Sequence, residues 1–224
     1  MWTINHEDSA EEPPSPEQLE RWQRRMSPPE NEFPAGLGIT VMLASTDNVA
    51  VGLCQVEAFS TGFRFSLAVR VRQLPPGLVQ GDLFMHIAAH VPDLVIPVEN
   101  RLLVGIEYSD GRRASTLGDM WVFNPDAEAD SDKLVLVPQG GGGSELAVDQ
   151  GFWVAPLPPP GPVLVVVAWP GFGIEEALTV LDGETIRAAA ADSQTLWPPP
   201  SSAQPPQSPL PPRPTSGWFA EPVD

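Results

Sequence analysis

The sequence predicts a mainly β protein: a single antiparallel β-sandwich with Ig-like layering, one or two short helices and disordered ends. Three observations carry that reading. Apolar and polar residues alternate from Phe63 to Val71 and again from Leu102 to Ser109, the period of half-buried strands. Asp110-Gly111 follows the second run, and such a pair tolerates the positive φ of a tight hairpin turn. The prolines, 28 of 224 residues, stay out of both runs, and most of them gather in the first 34 residues, between Pro156 and Pro162, and beyond Trp197. Three zones follow: an acidic, Pro-containing arm over 1–34, a sandwich domain over 35–192, and a Pro-rich tail over 193–224.

In the arm, Ser15-Pro16-Glu17-Gln18 reads as a helix start, with Ser as N-cap, Pro at the first helical position and Gln able to return a bond to the cap. Leu19, Trp22 and Met26 recur at helical spacing, and Ser27-Pro28-Pro29 ends the pattern. So short a helix is marginal alone, so its apolar stripe either docks on its own body or folds on a partner. In the body, a hairpin turn at Thr61-Gly62 sets Ala58, Val56 and Cys54 opposite Phe65, Leu67 and Val69, which makes Cys54 a small buried hydrophobe. Glu57 and Gln55 then join the polar face near the arginines of the next strand. Further strands are expected at Met120 to Phe123, Lys133 to Val137, Leu146 to Ala155, Val163 to Trp169 and Glu176 to Leu181, for roughly seven to nine strands in all. Gly140 to Gly143 reads as a long, mobile hairpin loop. Val163 to Val167 is apolar on both faces, which places it centrally in a sheet packed by a second layer. Pro156 to Pro162 lacks ladder donors and reads as an extended crossing between sheets. Asp182 is positioned to cap a short helix over Glu184 to Ala191.

Composition narrows the function classes. With 12 basic and 29 acidic residues the formal charge is −17, which gives no attraction to phosphate backbones or anionic lipid; neither a nucleic-acid nor a membrane partner is expected. The single cysteine excludes an internal disulfide framework and any multi-Cys zinc site. The first ten residues lack a basic and apolar leader, and the densest apolar run, Val163 to Trp169, is far short of the roughly 20 residues of a transmembrane helix; a cytoplasmic location is expected.

No catalytic, cofactor or metal residue is assigned. His86 and His90 stand four apart, but Ile87 follows the first where a zincin carries Glu, so partly exposed histidines near a strand end are expected. The competing reading is a metal-dependent or hydrolytic enzyme in which they join carboxylates such as Asp93. Asp126, Glu128, Asp130 and Asp132 alternate like a calcium loop, yet Ser131 and Val137 occupy the positions where an EF-hand needs Gly and Glu. Gly140 to Ser144 leads into a strand without the Gly-Lys-Ser/Thr of a phosphate loop. The tail offers a protein-partner segment: Pro209, Pro212 and Arg213 form P-x-x-P with an adjoining Arg, and Trp218 and Phe219 are an aromatic pair poorly suited to a spacer. The expected function is a non-catalytic binding or scaffold module that contacts partners through these aromatic-bearing ends; a structural subunit of a larger assembly is the further alternative.

One resemblance joins this reading. Phe152-Trp153, the run Pro156-Leu157-Pro158-Pro159-Pro160-Gly161-Pro162, Trp169-Pro170, Gly173-Ile174-Glu175-Glu176 and Leu196-Trp197-Pro198 resemble a group of uncharacterised actinobacterial proteins, as does Leu103-Val104-Gly105-Ile106-Glu107 with Asp110-Gly111-Arg112. The resemblance covers roughly Arg64 to Pro198 and implies a soluble, mostly β protein of the bacterial cytoplasm. It carries no assigned activity, so no functional residue transfers.

Overall fold

A computed structural model describes residues 22, 24–74, 83–87, 96–117 and 132–198. The strand expected at Met120 to Phe123, Asp126 to Asp130, His90, Asp93 and the tail residues Pro209, Pro212, Arg213, Trp218 and Phe219 lie outside them.

The described chain forms an antiparallel β-sandwich. Its strands are β1 (Glu32–Phe33), β2 (Ala35–Gly36), β3 (Val41–Ser45), β4 (Val49–Phe59), β5 (Gly62–Val71), β6 (Leu103–Tyr108), β7 (Arg113–Ser115), β8 (Val135–Gly143), β9 (Ala147–Ala155), β10 (Pro162–Trp169), β11 (Ile174–Asp182) and β12 (Gln194–Thr195). Among the described residues, besides the helical residues 24–26 of the arm, the α-helices are α1 (Leu83–Ile87) and α2 (Gly183–Ala191). The larger sheet runs β2-β4-β5-β9-β8 with β3 also on β4, the smaller runs β11-β10-β6-β7, and β1 pairs with β12 as a separate ribbon. The surplus over the expected strand count comes from pieces such as β2 and β7, of two and three residues, too short to show alternation.

The core is the space between the two inner faces. Val51, Leu53, Phe63, Phe65, Leu67, Val69, Val148, Phe152 and Val154 from the larger sheet meet Val104, Ile106, Tyr108, Val163, Val165 and Val167 from the smaller. Phe65 and Phe152 sit opposite each other in register and stack at 5.5 Å. Full burial of such side chains contributes about 1.5–3 kcal/mol each, so the alternation that revealed the strands also holds the sheets together. Helix α2 lays Ile186 and Ala190 into this core against β4 and β5. The Asp182 carboxylate accepts from the Glu184 and Thr185 N–H groups, the expected cap.

The crossing over Pro156 to Pro162 carries the chain from β9 in one sheet to β10 in the other. Prolines present carbonyls without N–H groups, and the fold brings donors to them. Tyr108 Oη donates to Pro156 O at 2.7 Å, Ser109 Oγ to Pro160 O at 2.9 Å and Arg187 Nη1 to Pro158 O at 3.2 Å. The second hairpin also forms as expected, with Gly111 at φ 87° and its N–H donating to Tyr108 O.

The β4–β5 hairpin departs from expectation. Its turn is Ser60-Thr61, since Phe59 pairs with Gly62, and a bulge follows in which Gln55 and Val56 share the place opposite Phe65. Gln55 takes φ 53°, and this extra residue reverses the alternation before it. Leu53 therefore faces the core, and Cys54 lies opposite Ser66 on the outer face, half-buried rather than in the core. Desolvation, then the Asp149 carboxylate, pushes its thiol up, while Arg70 acts against them. Glu57 does meet the arginines, pairing with Arg64 directly opposite.

The glycine run is also not a loop. Strand β8 continues through it, with Gly141, Gly142 and Gly143 paired to Gln150, Asp149 and Val148, and the chain turns at Ser144 to Leu146. Gln139 and Gly140 form a second bulge opposite Gly151, and the buried Gln150 amide donates to Gln139 O at 2.6 Å. Absence of side chains is what permits this approach: a Cβ on Gly143 would stand 2.0 Å from Ala147 O, whereas Gly140 and Gly142 have nothing within 4 Å. Gly143→Ala is expected to cost about 1–3 kcal/mol, while Gly142→Ala is expected to be neutral or slightly stabilising. Urea midpoints for the two variants would separate a paired strand from a loose loop, in which both changes would be silent.

Candidate functional site

Three places combine exposure or chemistry with defined geometry. The first is the short helix α1, which carries His86 between the buried Leu83 and Ile87. This corrects the expectation of a strand end. His86 Nδ1 lies 2.7 Å from Asn100 O, and a carbonyl only accepts, so Nδ1 carries the proton. The same oxygen takes the Trp169 indole N–H at 3.0 Å, and His86 O receives Leu102 N. In this arrangement the imidazole pins α1 to the turn that precedes β6, and the His86 carbonyl holds it beside the start of that strand. Among the described residues no group of three or more His, Cys, Asp or Glu stands where it would hold a metal ion.

The second place is the β1–β12 ribbon. Glu32 pairs with Thr195 and Phe33 with Gln194; Leu196 N donates to Asn31 O at 2.8 Å and Asn31 Nδ2 to Trp197 O at 2.7 Å. The Glu32 carboxylate accepts from Ser60 at the β4–β5 turn, fixing the ribbon to the larger sheet. The end of the arm and the root of the tail are thus tied together, with Phe33, Leu196 and Trp197 exposed there. Upstream, residues 24–26 are helical, and Met26 packs on an outer-face cluster of Phe59, Val137, Trp153 and Ala155. Trp153 Nε1 donates to Arg25 O at 2.9 Å. Of the two alternatives for the arm stripe, its Met26 end docks on the body.

The third place escaped the sequence reading. On the outer face of the smaller sheet, Leu178 stands opposite Val166 and Val180 opposite Leu164, one apolar block across β11 and β10. Leu178 is 59% and Val180 62% exposed. Val163 to Val167 does lie inside a sheet with the larger sheet against its inner face, but Leu164 and Val166 on the other side are only half-buried. The doubly apolar run was a signal of two apolar faces, and the second faces outward.

The fold and these surfaces define a two-sheet β-sandwich with a docked arm. Comparison with protein-family models, with curated proteins and with solved structures returns no match. No helix among the described residues is long and apolar enough to cross a membrane.

Proposed function

We propose that this chain is a non-catalytic binding or scaffold module of the bacterial cytoplasm, akin to the uncharacterised actinobacterial proteins it resembles, with the sandwich as platform and the aromatic-bearing ends as contacts. The observation that supports this most is the β1–β12 ribbon. It anchors the tail root at a defined place and exposes Phe33 and Trp197, so the segment bearing Pro209, Pro212, Arg213, Trp218 and Phe219 starts from a rigid base. Pre-extended Pro-rich chain loses less entropy on binding than flexible coil. The test is affinity capture with the full chain beside its Trp218→Ala/Phe219→Ala variant. A protein retained by the first and lost by the second, at an unchanged melting temperature, is the expected result. Identical captures by the two would remove the tail from the binding role.

A further inference from the structure

We infer that the outer face of the β11-β10-β6 sheet docks a segment of another protein that carries apolar side chains flanked by lysine or arginine. This inference stands on the sheet face alone and uses neither the tail nor the ribbon.

The apolar centre is continuous. Leu178 and Val180 on β11 lie beside Val166 and Leu164 on β10, and Val166 in turn lies opposite Gly105 on β6, whose missing side chain leaves that flank low. Large side chains held in water beside one another gain about 25 cal/mol for each Å² that a partner covers. Exposed contiguous apolar faces on a sheet margin are where other chains attach.

Charge says which partner fits. The charged residues of β11 are Glu175, Glu176 and Asp182, all acidic, with Glu184 just beyond, and β10 carries no charge at all. Glu175 and Glu176 share the place opposite Ala168, at one end of the apolar block. Asp182 closes the other end opposite Pro162, and hydrogen bonds from the Thr185 hydroxyl and then the Glu184 N–H hold its carboxyl below the usual range. On the far margin Glu107 is matched by Arg113 at 2.9 Å. An apolar strip with acid at both ends fits an apolar strip with cations at both ends.

A second copy of this chain fits less well. It brings the same acidic ends and another 17 net negative charges, and its Arg113 and Arg112 are already paired with Glu107 and Asp110. An anionic lipid surface is repelled for the same reason.

The test uses the full chain, a synthetic peptide of alternating Val and Thr with lysines at both ends, and its counterpart ending in glutamates. Fluorescence anisotropy is expected to show the lysine peptide binding at least about tenfold more tightly than the glutamate peptide and weakening with salt. Leu178→Ser/Val180→Ser, a change of exposed side chains, is expected to weaken it by about tenfold or more at an unchanged melting temperature. Trp218→Ala/Phe219→Ala is expected to bind it as the parent does, which separates this face from the tail. Equal affinity for the two peptides, no binding, or full binding by the Leu178/Val180 variant would each overturn the inference. So would a concentration-dependent dimer in sedimentation that the Leu178/Val180 variant abolishes, since a second copy would then be the occupant.

Discussion

Trp153→Ala is expected to lower the unfolding free energy by about 3–5 kcal/mol, although Trp153 lies on the outer face of its sheet. The indole is fully buried because the arm roofs it: Phe59 meets it edge-on at 5.6 Å, and Val137, Ala155 and Met26 close around it. Truncation leaves a cavity under the arm and also strips Arg25 O of its indole donor, held at 2.9 Å. Trp153→Phe keeps most of the apolar contact and loses the hydrogen bond, so it is expected to cost only about 1–2 kcal/mol. Met26→Ala should be costly in the parent and nearly silent in Trp153→Ala, because the two side chains share one cluster. Urea denaturation of the four chains of that cycle measures the coupling. Additive effects would mean that the arm does not seat on Trp153.

How much of this fold could be read beforehand depended on whether a residue's environment repeats. From Phe63 to Val71 the repeat of two is unbroken, and every odd position of that run is buried. The Asp110-Gly111 turn, the proline crossing and the Asp182 cap were equally legible, each resting on a local rule of backbone geometry. Cys54 was misplaced because one non-glycine residue, Gln55, adopts a left-handed conformation, and nothing in its chemistry announces that. Gly140 to Gly143 misled in the opposite way. Glycine is the ordinary mark of a loop, but here β9 comes too close for a side chain at Gly141 and Gly143, and the backbone pairs along the run.

The surfaces were harder still. Ala177, Thr179 and Leu181 face inward while Leu178 and Val180 face outward, so both faces of β11 are largely apolar and alternation alone does not say which one meets the core. Each strand of the β1–β12 ribbon is two residues long, below the length at which any periodicity exists. His86 looked like half of a ligand pair by spacing alone. Its hydrogen bond to Asn100 O, fourteen residues on, depends on where α1 is set down against β6.

Raising the pH from about 10 to about 12 is expected to cost the fold roughly 3 kcal/mol through one phenol. Tyr108 is the only tyrosine of the chain, lies 2% exposed at the end of β6, and donates to Pro156 O at 2.7 Å. Burial pushes its phenol well above the ordinary value of 10.0; the Arg112 guanidinium, 5.3 Å from the ring centre, pulls it down less, and Asp110 pushes it up further. The folded state thus holds the proton more tightly than the unfolded chain does. Below pH 10.0 both states are protonated and the full stability is present. Above it the unfolded chain releases the proton first, and stability falls by about 1.4 kcal/mol per pH unit. Tyrosinate absorbance is therefore expected to appear together with the loss of the β-sheet circular dichroism, in one cooperative step. A Cys54→Ser background removes the thiol, whose own raised value acts in the same direction. Tyr108→Phe should cost about 1 kcal/mol at neutral pH, for the lost bond to Pro156 O, and then hold its stability across the alkaline range where the parent fails. Ionisation at the ordinary phenol value with the circular dichroism intact would show that Tyr108 is not sealed between the sheets, and that the proline crossing is not tied down by its hydroxyl.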